Sequence, residues 1–124
     1  MALDLTFPRT AKLRMKQQYD AVREKGNTKS GPFFRLSALG LSMVEEMQQP
    51  TQCGFIVSRR VGNAVMRNQV KRRLRELYRK ERPYVLPGLW LVFIATPQAA
   101  AATFAELQGE WHRLAKKLSL FQKE

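Results

Sequence analysis

The sequence predicts an α+β fold, a two-layer α/β sandwich with helices over one face of a short sheet. Three observations carry that prediction. Residues 89–95, LWLVFIA, are continuously apolar between Pro87-Gly88 and Thr96-Pro97, so they read as a strand buried on both faces. Residues 63–82 read as an amphipathic helix between that strand and an earlier extended run, QCGFIVS at 52–58. Phe104, Leu107, Trp111, Leu114 and Leu118 repeat at helical spacing after Thr103 and Glu106, which form a capping-box signature. The order is α-β-β-α-β-α, with one more strand around Gly40, in a single domain spanning 1–124.

Residues 1–9 read as an irregular lead-in. From about Thr10 to Lys25, Met15, Tyr19 and Val22 form a modest apolar helical stripe among Lys12, Arg14, Lys16, Arg23 and Lys25, and Gly26 and Asn27 stop the helix. Tyr19 has two readings: a core aromatic, or an aromatic at a groove edge on which a base stacks. Gly31-Pro32 opens an extended stretch to Val44. There Phe34, Leu36 and Ala38 alternate with Phe33, Arg35 and Ser37, the pattern of a half-buried strand. Gly40 bends this stretch or divides it, and residues 45–51 read as a polar loop.

The helix at 63–82 organises the chain. At about 100° per residue, Met66, Val70, Leu74, Leu77 and Tyr78 fall within one third of the wheel. Lys71, Arg72, Arg75, Arg79 and Arg82 lie opposite, with Arg67 and Arg73 at the flanks. Asn63 can cap its start and Pro83 stops it. Residues 58–82 hold ten of the 22 Lys and Arg and two of the ten Asp and Glu, hence eight of the twelve net positive charges. Most charged helix faces are simply solvated, but such faces usually mix signs. Here only Glu76 and Glu81 dilute the cations, which points to a polyanion partner.

Composition excludes much else. No apolar run approaches the ~18 residues of a membrane span, and the N-terminus has no long apolar segment of a secretory signal. Cys53 is the one cysteine, which fits a reducing cytoplasm and an inert core thiol. His112 is the one histidine and reads as a surface or boundary residue. The carboxylates are scattered, and the adjacent Glu45 and Glu46 would point to opposite faces of an extended chain. No self-sufficient nuclease centre emerges. A helix-turn-helix is also a poor fit, because the basic helix follows a strand.

The run FIVSRRVGNAVMRNQVKRRLRE resembles the signature of the protein subunit of bacterial ribonuclease P. The pattern is carried by Ser58, Arg59, Arg60, Gly62, Asn63, Ala64, Val65, Arg67, Asn68, Lys71, Arg72 and Arg75. Upstream, LRMKQQYDAVREKG is similar to the family's first helix. Gln69 stands where the family typically has a second Arg, which keeps hydrogen-bonding capacity and loses a charge. Tyr19 replaces a usual Phe, Arg23 a common aromatic, and Ser37 an occasional Tyr, so a groove here relies more on charge than on stacking.

The resemblance implies a noncatalytic subunit whose holoenzyme removes the 5′ leader from precursor tRNA. Hydrolysis then belongs to a catalytic RNA and its Mg²⁺, with no organic cofactor, no catalytic protein residue, no membrane partner and one protein per RNA. It assigns Ser58, Arg59, Arg60, Asn63, Arg67, Asn68, Lys71, Arg72 and Arg75 to the catalytic RNA. It assigns Lys12, Arg14, Lys16, Tyr19, Arg23, Phe33, Arg35 and Ser37 to the single-stranded leader. It also implies a left-handed β-α-β crossover, where the general rule is right-handed in about 98% of cases. A stand-alone structural RNA-binding protein, such as a ribosomal component, would share the basic helix; the Val61–Arg75 motif separates the two by resemblance. A protein-only nuclease is the poorer third reading.

Overall fold

The computed structural model describes residues 12–40 and 50–122. In chain order these form α1 (Lys16–Lys25), β1 (Asn27–Ser30), β2 (Phe34–Gly40), β3 (Gln52–Ile56), α2 (Ala64–Glu81), β4 (Leu89–Ala95) and α3 (Phe104–Lys117). Short 3-10 turns at Arg59–Val61, Arg82–Tyr84 and Pro97–Ala101 join the later elements. The sheet order is β1-β2-β4-β3. β2 pairs antiparallel with β1 and β4, and β3 runs parallel to β4, so α2 is the connection between parallel neighbours.

β4 is covered on both faces, as its unbroken apolar sequence requires. On one face Leu91, Phe93 and Ala95 join Phe34, Leu36, Ala38 and Cys53 beneath α2 and α3. Val70, Leu74, Leu77 and Tyr78 come down from α2, and Leu107, Trp111, Leu114 and Ala115 from α3. Phe93 is central: its ring centroid lies 5.1 Å from Phe34, 5.3 Å from Phe55, 5.5 Å from Trp111 and 6.1 Å from Tyr78. On the other face Val92 meets Leu13 and Val22, with Tyr19, Leu39, Trp90 and Ile94 at the margin. α1 therefore covers part of that second face and leaves a cleft beside it.

Both predicted caps form. Asn63 accepts the Met66 N–H at 2.9 Å, and Thr103 and Glu106 make the reciprocal pair that starts α3. His112 is exposed and meets the buried Glu81, Nε2 to Oε1 2.9 Å, which ties α3 to α2. Cys53 is buried, and burial pushes its thiol well up from its ordinary value.

Several details differ from expectation. β1, sequence NTKS, is a strand that the pattern missed, because all four residues are exposed and offer no apolar alternation. It precedes Phe34; the strand expected beyond Gly40 falls on residues outside the described range. α1 begins at Lys16, and Met15 is its exposed N-cap rather than part of its stripe. Met66 lies on the predicted stripe yet is 39% exposed, since α2's first turn projects past the core. β3 ends at Ile56, two residues short of Ser58.

Candidate nucleic-acid interface

Sheet register builds the cleft floor. Thr28 pairs with Ser37, Ser37 with Val92, and Val92 with Gly54, giving one row across all four strands. The next row is Ser30, Arg35, Ile94 and Ile56. Residues opposite one another in register share a face. α1 walls this surface with Tyr19, Asp20, Val22 and Arg23, enclosing about 380 Å³. The floor is apolar at Val92, Ile94 and Ile56, and hydroxylic where Thr28 Oγ1 meets Ser37 Oγ at 2.7 Å. Arg35 is exposed at the rim, and Arg23 donates to Asp20 at 3.1 Å.

Tyr19 stands between this cleft and a second recess. That recess, about 150 Å³, is lined by Lys12, Leu13, Tyr19, Cys53, Gly54, Phe55, Lys71 and Arg75. The Tyr19 ring lies against Gly54, where a side-chain carbon would sit only 2.3 Å from its hydroxyl. Its hydroxyl donates to the Leu13 carbonyl at 3.3 Å. Burial first, and then the neighbouring Cys53, hold the phenol above its ordinary pKa. Tyr19 thus packs part of its ring in the smaller core and lines the groove with another part.

From the second recess the surface continues onto α2. Its exposed side carries Asn68, Arg72 and Arg75, with Arg67 and Lys71 half-buried. The turn before it presents Ser58, Arg59, Arg60 and Asn63, all exposed. Gly62, at φ 153°, ends the 3-10 turn with its N–H on the Arg59 carbonyl, in a backbone conformation that favours glycine. The Arg67 Nε donor is buried and has no acceptor among the described residues. Val65, 66% exposed, adds an apolar contact amid these cations. Arg79 is partly neutralised: Glu76 accepts two hydrogen bonds from it, and those bonds, ahead of the charge attraction, draw the Glu76 carboxyl below its ordinary value. Arg73 turns away from this face and donates to the Ala102 carbonyl at 3.1 Å.

The structure brings together Tyr19, Arg23, Arg35 and Ser37 in the cleft, and Lys12, Tyr19, Lys71 and Arg75 in the adjoining recess. Arg14 and Lys16 are exposed at the start of α1 and line neither. Phe33 packs against the main core on the opposite side of the sheet, so it is not a cleft residue. Thr28, Asp20, Gly54, Ile56, Val92 and Ile94 were missed. Only Gly54 carried a local signal, since a glycine inside a strand often marks close approach by another group. Among the described residues no group of three or more His, Cys, Asp or Glu forms a metal-binding cluster. No helix among them is long and apolar enough to cross a membrane.

A cationic helix face beside a cleft with an apolar, hydroxyl-bearing floor defines a class: an α+β domain with the charge pattern of a nucleic-acid-binding protein. The family model for ribonuclease P matches residues 7–119. The ribonuclease P protein component of Roseiflexus castenholzii is 36% identical over 115 residues, covering 92% of this chain and 90% of that protein. The counterpart from Acidothermus cellulolyticus is 36% identical over 113 residues, 91% of this chain and 92% of its own. Among solved structures, the RNase P protein of Staphylococcus aureus superposes with a TM-score of 0.78 at 22% identity, over 92% of this chain and all of that one. That of Thermotoga maritima gives 0.72 at 21%, over 86% and 96%. The chain belongs to the ribonuclease P protein family, the protein components of that tRNA-processing ribonucleoprotein.

Proposed function

We propose that the protein grips two RNAs at once. α2 and the turn before it bind the catalytic RNA of ribonuclease P, and the cleft beside α1 holds the single-stranded 5′ leader of precursor tRNA. Supporting this is the continuity of the surface: Tyr19 lines both the apolar cleft and the recess that carries Lys71 and Arg75. Arginine forks suit phosphate oxygens, and displaced counterions supply the driving force. Stacking on Tyr19 and apolar contact with Ile56 and Ile94 tolerate varied bases, which suits leaders that differ in sequence.

In this reading the RNA and its bound Mg²⁺ cut the phosphodiester in the cytoplasm, one protein serving each RNA. The protein's side chains supply binding and orientation only. The test is reconstitution: the protein, a ribonuclease P RNA and a leader-bearing precursor tRNA at low Mg²⁺, with each component also tested alone. Cleavage that needs both components supports the reading. Cleavage by the protein alone would overturn it.

A further inference from the structure

We infer that Glu110 is a positioning residue for leader recognition: from α3, behind the sheet, its carboxylate holds the β1–β2 turn and so sets where Thr28 of the edge strand and Arg35 at the start of β2 stand in the cleft. This rests on the cleft reading above and goes beyond it. The Glu110 side chain is 1% exposed. Its Oε2 accepts the Phe33 N–H at 3.0 Å and the Phe34 N–H at 2.7 Å, and its Oε1 receives Arg113 at 3.3 Å. The turn is shaped around it, because a side chain at Gly31 would reach within 2.3 Å of Oε1.

The grip matters for β1 and the turn, because β2 is already held along its length by β4 whereas β1 is an edge strand. All four residues of β1 are exposed, and β1 pairs with β2 alone. Both strands nevertheless line the cleft, through Thr28, Arg35 and Ser37. Besides Glu110, the turn is tied by Thr96, whose N–H reaches the Phe33 carbonyl at 2.9 Å and whose hydroxyl reaches Pro32. A buried carboxylate is a poor device for stability alone, since an apolar side chain of similar size often serves as well or better. Two charge-assisted bonds to consecutive backbone N–H groups instead specify one position for the strand that follows.

The experiment uses holoenzyme reconstituted from the full chain and ribonuclease P RNA, with precursor tRNAs bearing a long or a minimal leader. KM and kcat are measured for wild type, Glu110→Gln and Thr96→Val, the last a milder loosening of the same turn. Replacing the charge-assisted bonds by weaker neutral ones should raise the long-leader KM about five-fold in Glu110→Gln, with a smaller rise in Thr96→Val. The rise should be confined to KM and to the long leader. Equal KM changes for both leaders, or a lowered melting temperature with no leader effect, would overturn the inference by showing a merely structural role. Arg35→Ala and the wild-type leader dependence test the cleft itself. If those respond while Glu110→Gln and Thr96→Val do not, the inference falls and the cleft reading stands. If they do not respond, the cleft reading falls first. Should Glu110→Gln fail to fold, Thr96→Val decides.

Discussion

Replacing Gly54 by alanine probes the cleft without touching a charge. The new Cβ would lie 2.3 Å from the Tyr19 hydroxyl oxygen, 2.6 Å from Cζ and 2.7 Å from Cε1, well inside ordinary contact. β3 is poorly able to retreat, because Cys53 is buried in the main core, Phe55 packs against it, and Gly54 is in register with Val92. Tyr19 is half-exposed, so it is the partner that moves, losing its bond to Leu13. Overpacking costs about 1–3 kcal/mol where nothing yields and a neutral hydrogen bond about 0.5–1.5, so a yielding Tyr19 puts the stability loss near 1 kcal/mol. A stacked base is worth about 1–3 kcal/mol, so leader affinity should fall by about 5- to 150-fold. The assay is a titration of holoenzyme with leader-bearing and with mature tRNA. The precursor should weaken about five-fold or more and mature tRNA less than about two-fold. Tyr19→Ala should behave similarly, and the double variant should be no worse than either, because both remove one interaction. Unchanged precursor affinity, or equal losses for both RNAs, would refute the reasoning.

Three further outcomes follow from the same geometry. Arg72→Ala removes one exposed cation from α2 and should reduce the slope of log affinity for the catalytic RNA against log salt by about 0.7–0.9, read by titration at several salt concentrations. Asn63→Ala deletes the cap on Met66 and should lower stability by about 1 kcal/mol, measured by thermal or urea unfolding. Glu110 has its carboxyl raised above 4.5, chiefly by burial, with the Phe34 and Phe33 N–H bonds opposing. The folded protein therefore binds that proton more readily than the unfolded chain. The group's contribution is most favourable below the unfolded value and is lost as pH rises through the raised one. Urea midpoints between about pH 4 and 7 should show this fall in wild type, and Glu110→Gln should lack it.

What was legible in the sequence were elements whose own residues pay the folding cost. LWLVFIA at β4 and the stripes of α2 and α3 bury enough apolar surface to declare themselves, and Asn63 and Thr103 mark two helix starts. β1 was illegible because its stability is borrowed through backbone pairing with β2. Met15 and Met66 misled because a side chain's hydrophobicity says nothing of whether the core extends to the helix end that carries it. Phe33 misled differently: strand alternation put it on Arg35's face, but it precedes the paired strand, so the chain there is free to turn its ring into the main core. The basic helix was visible as charge and period, and the family resemblance named its likeness. The cleft was expected only through that resemblance and not from the residues' own pattern, because its floor is assembled from four strands in register, and register is a tertiary property.

That register also explains why the two surfaces proposed to face RNA lie side by side. Alternate residues of a strand face opposite ways, so the five residues of β3 divide their work. Cys53 and Phe55 anchor it in the core beneath α2, while on the other face Gly54 meets Tyr19 at the second recess and Ile56 lines the cleft. The chain then leaves through the Ser58–Gly62 turn directly into the cationic helix. The parallel pairing of β3 with β4 and the packing of α2 on that pair hold the helix and the cleft to one rigid spacing. Under the proposed function, binding energy gained on the helix face is then available to the second contact, which is the condition under which the two would reinforce each other.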